Sequence, residues 1–162
     1  MPASSLPPVV DPAPYLQLME ERFGIPPDVF DAWVMVRPGK KKIYLVPPDC
    51  TPPATYRSVG LPFVRPAMKY PKPTTEAVLQ FGHHATQNVI AATAAQATAF
   101  MHRAPFAATE TQRAACTGRG YVIIRYQDMA LGIGFWTADD AHTVRSMFPK
   151  AMKQQALSVQ LP

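Results

Sequence analysis

The chain has 162 residues, 48% apolar and 17% charged, with 16 Lys and Arg against 11 Asp and Glu for a formal charge of +5. This excludes a disordered polyampholyte and supplies apolar mass for one domain, or two small ones sharing an interface. The 19 prolines are more than twice the usual share of about 5%; they limit the length of regular elements, argue against a helical bundle and exclude a long coiled coil.

Residues 1–14 are rich in proline and small side chains and read as a flexible lead-in, lacking the basic start and apolar run of a signal peptide. Tyr15, Leu16, Leu18, Met19 and Phe23 follow helical spacing, and Gly24 before Pro26 and Pro27 marks the stop. Two β-like runs, 32–36 and 42–46, flank a Pro38-Gly39 turn and predict a hairpin. The four prolines of 47–53 form a loop. Residues 59–64 read as a strand that Pro62 confines to a sheet edge. Thr74 or Thr75 caps a helix from Glu76 that fades at Gly82-His83-His84. A short strand over 88–92 leads to an alanine-rich helix over 93–103, then a poorly patterned connection over 105–118. Strands at 120–126, 129–135 and 142–148, with turns about every ten residues, complete a β-rich end. Strands, helices and strands in that order indicate α+β.

The charge is divided unevenly. Residues 1–31 hold five acids and one base, a net −4, which leaves +9 on the rest of the chain. Such a body steers polyanions to one face. The bases fall in loops of several elements: Lys40, Lys41 and Lys42 in the hairpin, Arg65, Lys69 and Lys72 around a proline-rich turn, Arg119 and Arg125 bracketing the Gly-Tyr strand, and Arg145, Lys150 and Lys153 at and after the last strand. Cations presented this way can follow a phosphate backbone, and arginine can stack on bases. Tyr121 and Tyr126 lie on opposite strand faces, so at most one serves as a stacking platform.

Other chemistry is poorly supplied. His83 and His84 point about 100° apart on a helix and cannot readily share an ion. Cys50 and Cys116 have no CxxC spacing and no nucleophile motif, which suits a reduced, cytoplasmic protein with no metal and no cofactor. Glu20-Glu21 and Asp139-Asp140 read as a solvated helix face and a turn. The glycines of Gly118–Gly120 and Gly132–Gly134 lack phosphate-loop spacing and mark strand curvature or close approach.

The stretch GYVIIRYQDMALGIGF, followed by SMFPKAMK, resembles the PUA-like domain that ends Nop2/Sun-type (RsmF-like) RNA cytosine-5 methyltransferases. The upstream order of Gly60-Leu61, Arg65, Lys72-Pro73-Thr74, a short strand and a helix fits the same pattern across residues 58–153. ERFGIPPDVFDAW and GKKKIYLV are similar to the pre-PUA segment of ribosome-biogenesis proteins. The resemblance implies a pre-PUA-like α/β unit over 15–57 and a PUA-like β-barrel with flanking helices over 58–162. It also implies binding of structured RNA, ribosomal RNA or pre-ribosomes ahead of transfer RNA. The methyltransferase motifs are missing: no Gly-rich cofactor loop follows a strand, and Asp49 rather than proline precedes Cys50. The expectation is therefore a non-catalytic, stand-alone RNA-binding module. Arg65, Lys69, Lys72, Arg119, Tyr121, Arg125, Arg145, Lys150 and Lys153 would contact RNA, with Lys40–Lys42 as a secondary patch. Two alternatives remain: an adaptor recruiting a separate RNA methyltransferase, and an RNA- or nucleotide-processing enzyme.

Overall fold

The computed structural model describes residues 6–156. Residues 1–5 of the expected lead-in and 157–162 of the expected PUA-like domain lie outside the described residues. The chain is α+β, as its element order indicates. Helix α1 (Ala13–Phe23) ends where Gly24 adopts φ 66°, and the Gly24 amide donates to Glu20 O. That left-handed cap frees the chain to turn at once towards the core.

Strands β1 (Val34–Val36), β2 (Ile43–Val46), β3 (Leu61–Arg65) and β4 (Lys72–Pro73) form a four-stranded antiparallel sheet in sequence order. Helix α2 (Thr75–Phe81) follows, and the Thr74 hydroxyl accepts its Ala77 amide. The second sheet combines β5 (Val89–Ala91), β6 (Phe106–Ala107), β7 (Gly120–Tyr126), β8 (Met129–Trp136) and β9 (Thr143–Ser146) in the order β5-β7-β8-β9-β6. Only β5 and β7 run parallel. The crossover between them carries α3 (Ala94–Met101), β6 and α4 (Glu110–Ala114), and α5 (Lys150–Ala156) follows β9. Capping boxes at Thr93/Gln96 and Thr109/Gln112 start α3 and α4. Among the described residues, no helix is long and apolar enough to cross a membrane.

Strand β7 is the hinge of the packing, because both its faces are covered. Tyr121 and Ile123 join a core with Phe23, Phe30, Phe63 and Phe81 that both sheets share. Val122 and Ile124 face a second core with Ile90, Phe100, Val144 and Phe148. The near-continuous apolar run of β7 is what such two-sided burial requires. On β8, Gly132 has φ 151°, and a Cβ there would lie 3.1 Å from Phe100 Cζ. The absent side chain lets α3 sit close on the sheet.

Four expectations are corrected. Residues 6–14 are not a loose lead-in: Val9 bridges Val36, the Val10 amide donates to Met35 O at 3.0 Å, and the Arg37 amide donates to Pro8 O at 2.8 Å. The segment thus uses the free edge of β1. The boundary at 57/58 falls inside one sheet, since Ile43 of β2 pairs with Val64 of β3. Pro62 does not make β3 an edge, because β3 lies between β2 and β4. Pro62 sits opposite Tyr44 beside a register shift at Ile43/Tyr44, an irregularity that tolerates the missing amide donor. The connection 105–118 contains β6 and α4. Among the described residues, β5 and β6 are the end strands of the second sheet, and its hydrogen-bonded ladder does not close between them.

Candidate functional site

Where β2, β3 and β4 end together, their alternation sets one row of side chains inward and the next outward. The inward row is Ile43, Val64 and Pro73, all buried. The outward row is cationic. Arg65 pairs directly with Lys72, and extending the β2–β3 register by one residue sets Lys42 opposite Arg65. Adjacent strands lie about 4.8 Å apart, so three positive side chains share one face across about 10 Å. Like charges placed directly opposite each other on a sheet are destabilising.

This row lines a cleft of about 340 Å³, which Met147, Pro149, Lys150, Arg103 and Glu76 also line. Arg103 reaches it from the end of α3. Its backbone takes φ 62°, unusual for a residue with a side chain, and its Nη1 donates to Phe148 O. That bond fixes the guanidinium beside the last strand. Burial holds the Lys72 ammonium below its ordinary pKa, and the neighbouring Arg65 and Arg103 charges lower it further. Five cations and one carboxylate therefore converge where water is partly excluded. An anion is the ligand this arrangement accommodates at least cost.

The Thr74 hydroxyl also lies at the cleft, but it is already engaged. It donates to Pro62 O at 2.6 Å and accepts the Ala77 amide at 3.1 Å. Its role is to hold α2 against β3, which keeps Lys72 and Glu76 in place.

The residues expected to contact RNA separate into three groups. Arg65, Lys72 and Lys150 are brought together with Lys42 of the expected secondary patch. Lys69, Lys40, Lys41, Arg145 and Lys153 are exposed around it or beyond it. Lys69 lies 5.5 Å from the Tyr70 ring centroid, and Lys40 and Lys41 occupy the hairpin turn beside a shallow hollow that Lys42 also lines.

The third group is engaged by the scaffold: Tyr121 is buried and Arg125 half-buried, while Arg119 stays exposed. Arg125 Nη2 donates to Gly82 O at 2.9 Å, tying β7 to the turn after α2. Arg119 donates to Thr137 O at 3.1 Å and covers the Phe135 ring at 5.2 Å. Tyr121 is buried against Phe135 with centroids 5.3 Å apart, and burial raises its phenol pKa. Tyr126 is buried as well, so neither tyrosine presents a stacking platform to solvent. Arg103 was not singled out in the sequence; its one signal was a cation at the end of a strong helix, where a solvated position is the ordinary reading.

No family model and no curated protein matches this chain. Functional interpretation therefore rests on the cleft itself. His83 and His84 stack on each other at 4.0 Å on the surface. Among the described residues, no group of three His, Cys, Asp or Glu side chains is placed to hold a metal ion.

Proposed function

We propose that this protein is a non-catalytic RNA-binding module of PUA-like type that takes RNA phosphates into the basic cleft, with ribosomal RNA or a pre-ribosome as the favoured partner. The observation that carries this reading is the cross-strand row of Lys42, Arg65 and Lys72 with Arg103 beside it. Lys42, Arg65, Lys72, Arg103 and Lys150 provide phosphate contacts. Lys69, Lys40 and Lys41 widen the positive field around them. Tyr121 and Arg125 serve the scaffold instead, and the exposed Arg119 is tied to Thr137 O. The resemblance of residues 58–153 to PUA-like domains supports the choice of RNA over other polyanions. Phosphate recognition by cations releases counterions, so affinity falls steeply with salt.

Binding of a duplex-containing RNA to the full chain, measured at about 50 and 200 mM salt, tests the proposal. Five phosphate contacts should cost about 500-fold in affinity across that interval. Binding that is absent at low salt, or insensitive to salt, overturns it.

A further inference from the structure

The cleft is compact where a backbone-tracking surface would be extended. Its cations converge on one volume of about 340 Å³, at the small end of ligand pockets and suited to about one nucleotide. We infer that the cleft receives a terminal phosphate, the phosphomonoester at one end of an RNA chain, held by Lys42, Arg65, Lys72 and Arg103. This rests on the reading that RNA phosphates enter the cleft.

Three features point to a chain end. A phosphomonoester brings a charge of about −1.5 to −2 at pH 7 and three strong acceptor oxygens, whereas an internal diester brings one charge. Arg65 and Lys72 paired across β3 and β4, with Lys42 lining the same cleft and Arg103 fixed by its bond to Phe148 O, match the denser charge. An internal phosphate also enters with a sugar on each side, whereas a terminal phosphate carries one and fills less of a cleft of about 340 Å³. Finally, Met147 and Pro149 add apolar surface to the lining of the cleft. A ribose or base attached to the phosphate can lie against it.

One hairpin RNA, prepared with hydroxyl ends, with a 5′-phosphate or with a 3′-phosphate, distinguishes the possible sources when titrated into the full chain. One phosphorylated form should bind about tenfold more tightly than the hydroxyl form, the worth of one net charged hydrogen bond. The gain should vanish in Arg65→Gln and in Lys72→Gln, and should persist in Arg57→Gln, which alters an exposed arginine outside the cleft. Lys150→Gln, at an exposed helix start, provides a further cleft variant if either of the first two fails to fold.

Equal binding of all three RNAs overturns the inference and leaves RNA binding standing. A gain that survives every cleft variant overturns it as well, because the terminal phosphate then binds elsewhere. If no RNA binds but adenosine monophosphate raises the melting temperature of the wild type and not of Lys72→Gln, the RNA reading fails. The terminal-phosphate site then stands, with a free nucleotide as its source.

Discussion

The cations of the cleft and the arginines around β7 come from the same pool of residues, and the fold treats them in opposite ways. Arg22 shows the second treatment most fully: its guanidinium donates to Tyr121 O at 2.8 Å, to Gly118 O at 3.0 Å and to Thr117 Oγ1 at 3.4 Å. Arg125 likewise donates to Gly82 O and Ala85 O. These guanidiniums are fixed by backbone carbonyls, and each ties two segments distant in sequence. In the cleft, Lys72 meets Arg65 and Arg103 instead, and the encounter is repulsive. A cation whose donors are spent on the scaffold stabilises the fold; one held against its own kind is available to a ligand. Position in the sequence does not tell the two apart, since Arg119 and Arg125 flank a strand much as Arg65 does.

This contrast is broken most directly by exchanging the consequences of mutation. Arg65→Gln combined with Lys72→Gln should reduce RNA affinity by about 100-fold and lower the salt slope by about 2, since two phosphate contacts are lost. The melting temperature should not fall. Salt-dependent binding isotherms and a thermal melt measure both. Unchanged affinity would show that the row does not face the ligand.

Arg125→Met should give the opposite pattern. Removing the guanidinium deletes two charged hydrogen bonds, to Ala85 O and to Gly82 O, which keeps the Ala85 amide, at a cost of about 1–3 kcal/mol in a denaturant titration. RNA affinity of the folded fraction should stay within about twofold of wild type. A large loss of affinity at full stability would return Arg125 to the interface.

A third test addresses the scaffold that separates the two groups. Gly24→Ala places a methyl at a left-handed position with Thr86 Oγ1 in the way. The strain and displacement should cost about 1–2 kcal/mol, because the same loop carries the Thr86 amide bond to Phe23 O at 2.8 Å. Chemical denaturation measures it, and the cleft, formed by other elements, should keep its affinity.

Local chemistry explains why some of this was legible in the sequence and some was not. Gly24 before two prolines, Thr74 before Glu76, and the Pro-Gly turn at 38–39 are local signals, and each marks an element end in the fold. The two-residue strands β4 and β6 carry no periodicity, so the connections containing them read as loops. Their existence depends on partners, Arg65 for Lys72 and Val144 for Phe106. The cleft was legible only in part for the same reason. Lys42, Arg65, Lys72 and Lys150 could be selected as cations, but their convergence is a matter of register. Arg103 enters through a backbone turn at φ 62° that no residue preference announces. Tyr121 and Arg125 looked available because a β-strand was expected to have a solvent face, and β7 has none.

The smallest expected effect is the most discriminating, because a scaffold residue cannot produce it. Lys72 is half-buried, and its folded pKa lies below the ordinary 10.5 through burial and the charges of Arg65 and Arg103. The unfolded chain therefore binds more protons just below that pH, and stability contributed by this group must rise as pH rises through the window between the folded and unfolded values. At neutral pH the ammonium is charged in both states, and the folded state bears the repulsion in full. Lys72→Met removes that repulsion while keeping the aliphatic stem. It should raise the melting temperature by about 1–2 °C, a figure kept small because solvent screens a half-exposed charge. The same variant should flatten the rise in stability towards pH 10.5 and weaken RNA binding by about tenfold. Added RNA should stabilise the wild type more than the variant, since an anion offsets the repulsion only where the cation is present. A variant that loses stability and affinity together would mean that Lys72 is a packing residue, and the distinction between the two groups of cations would then fail at its central member.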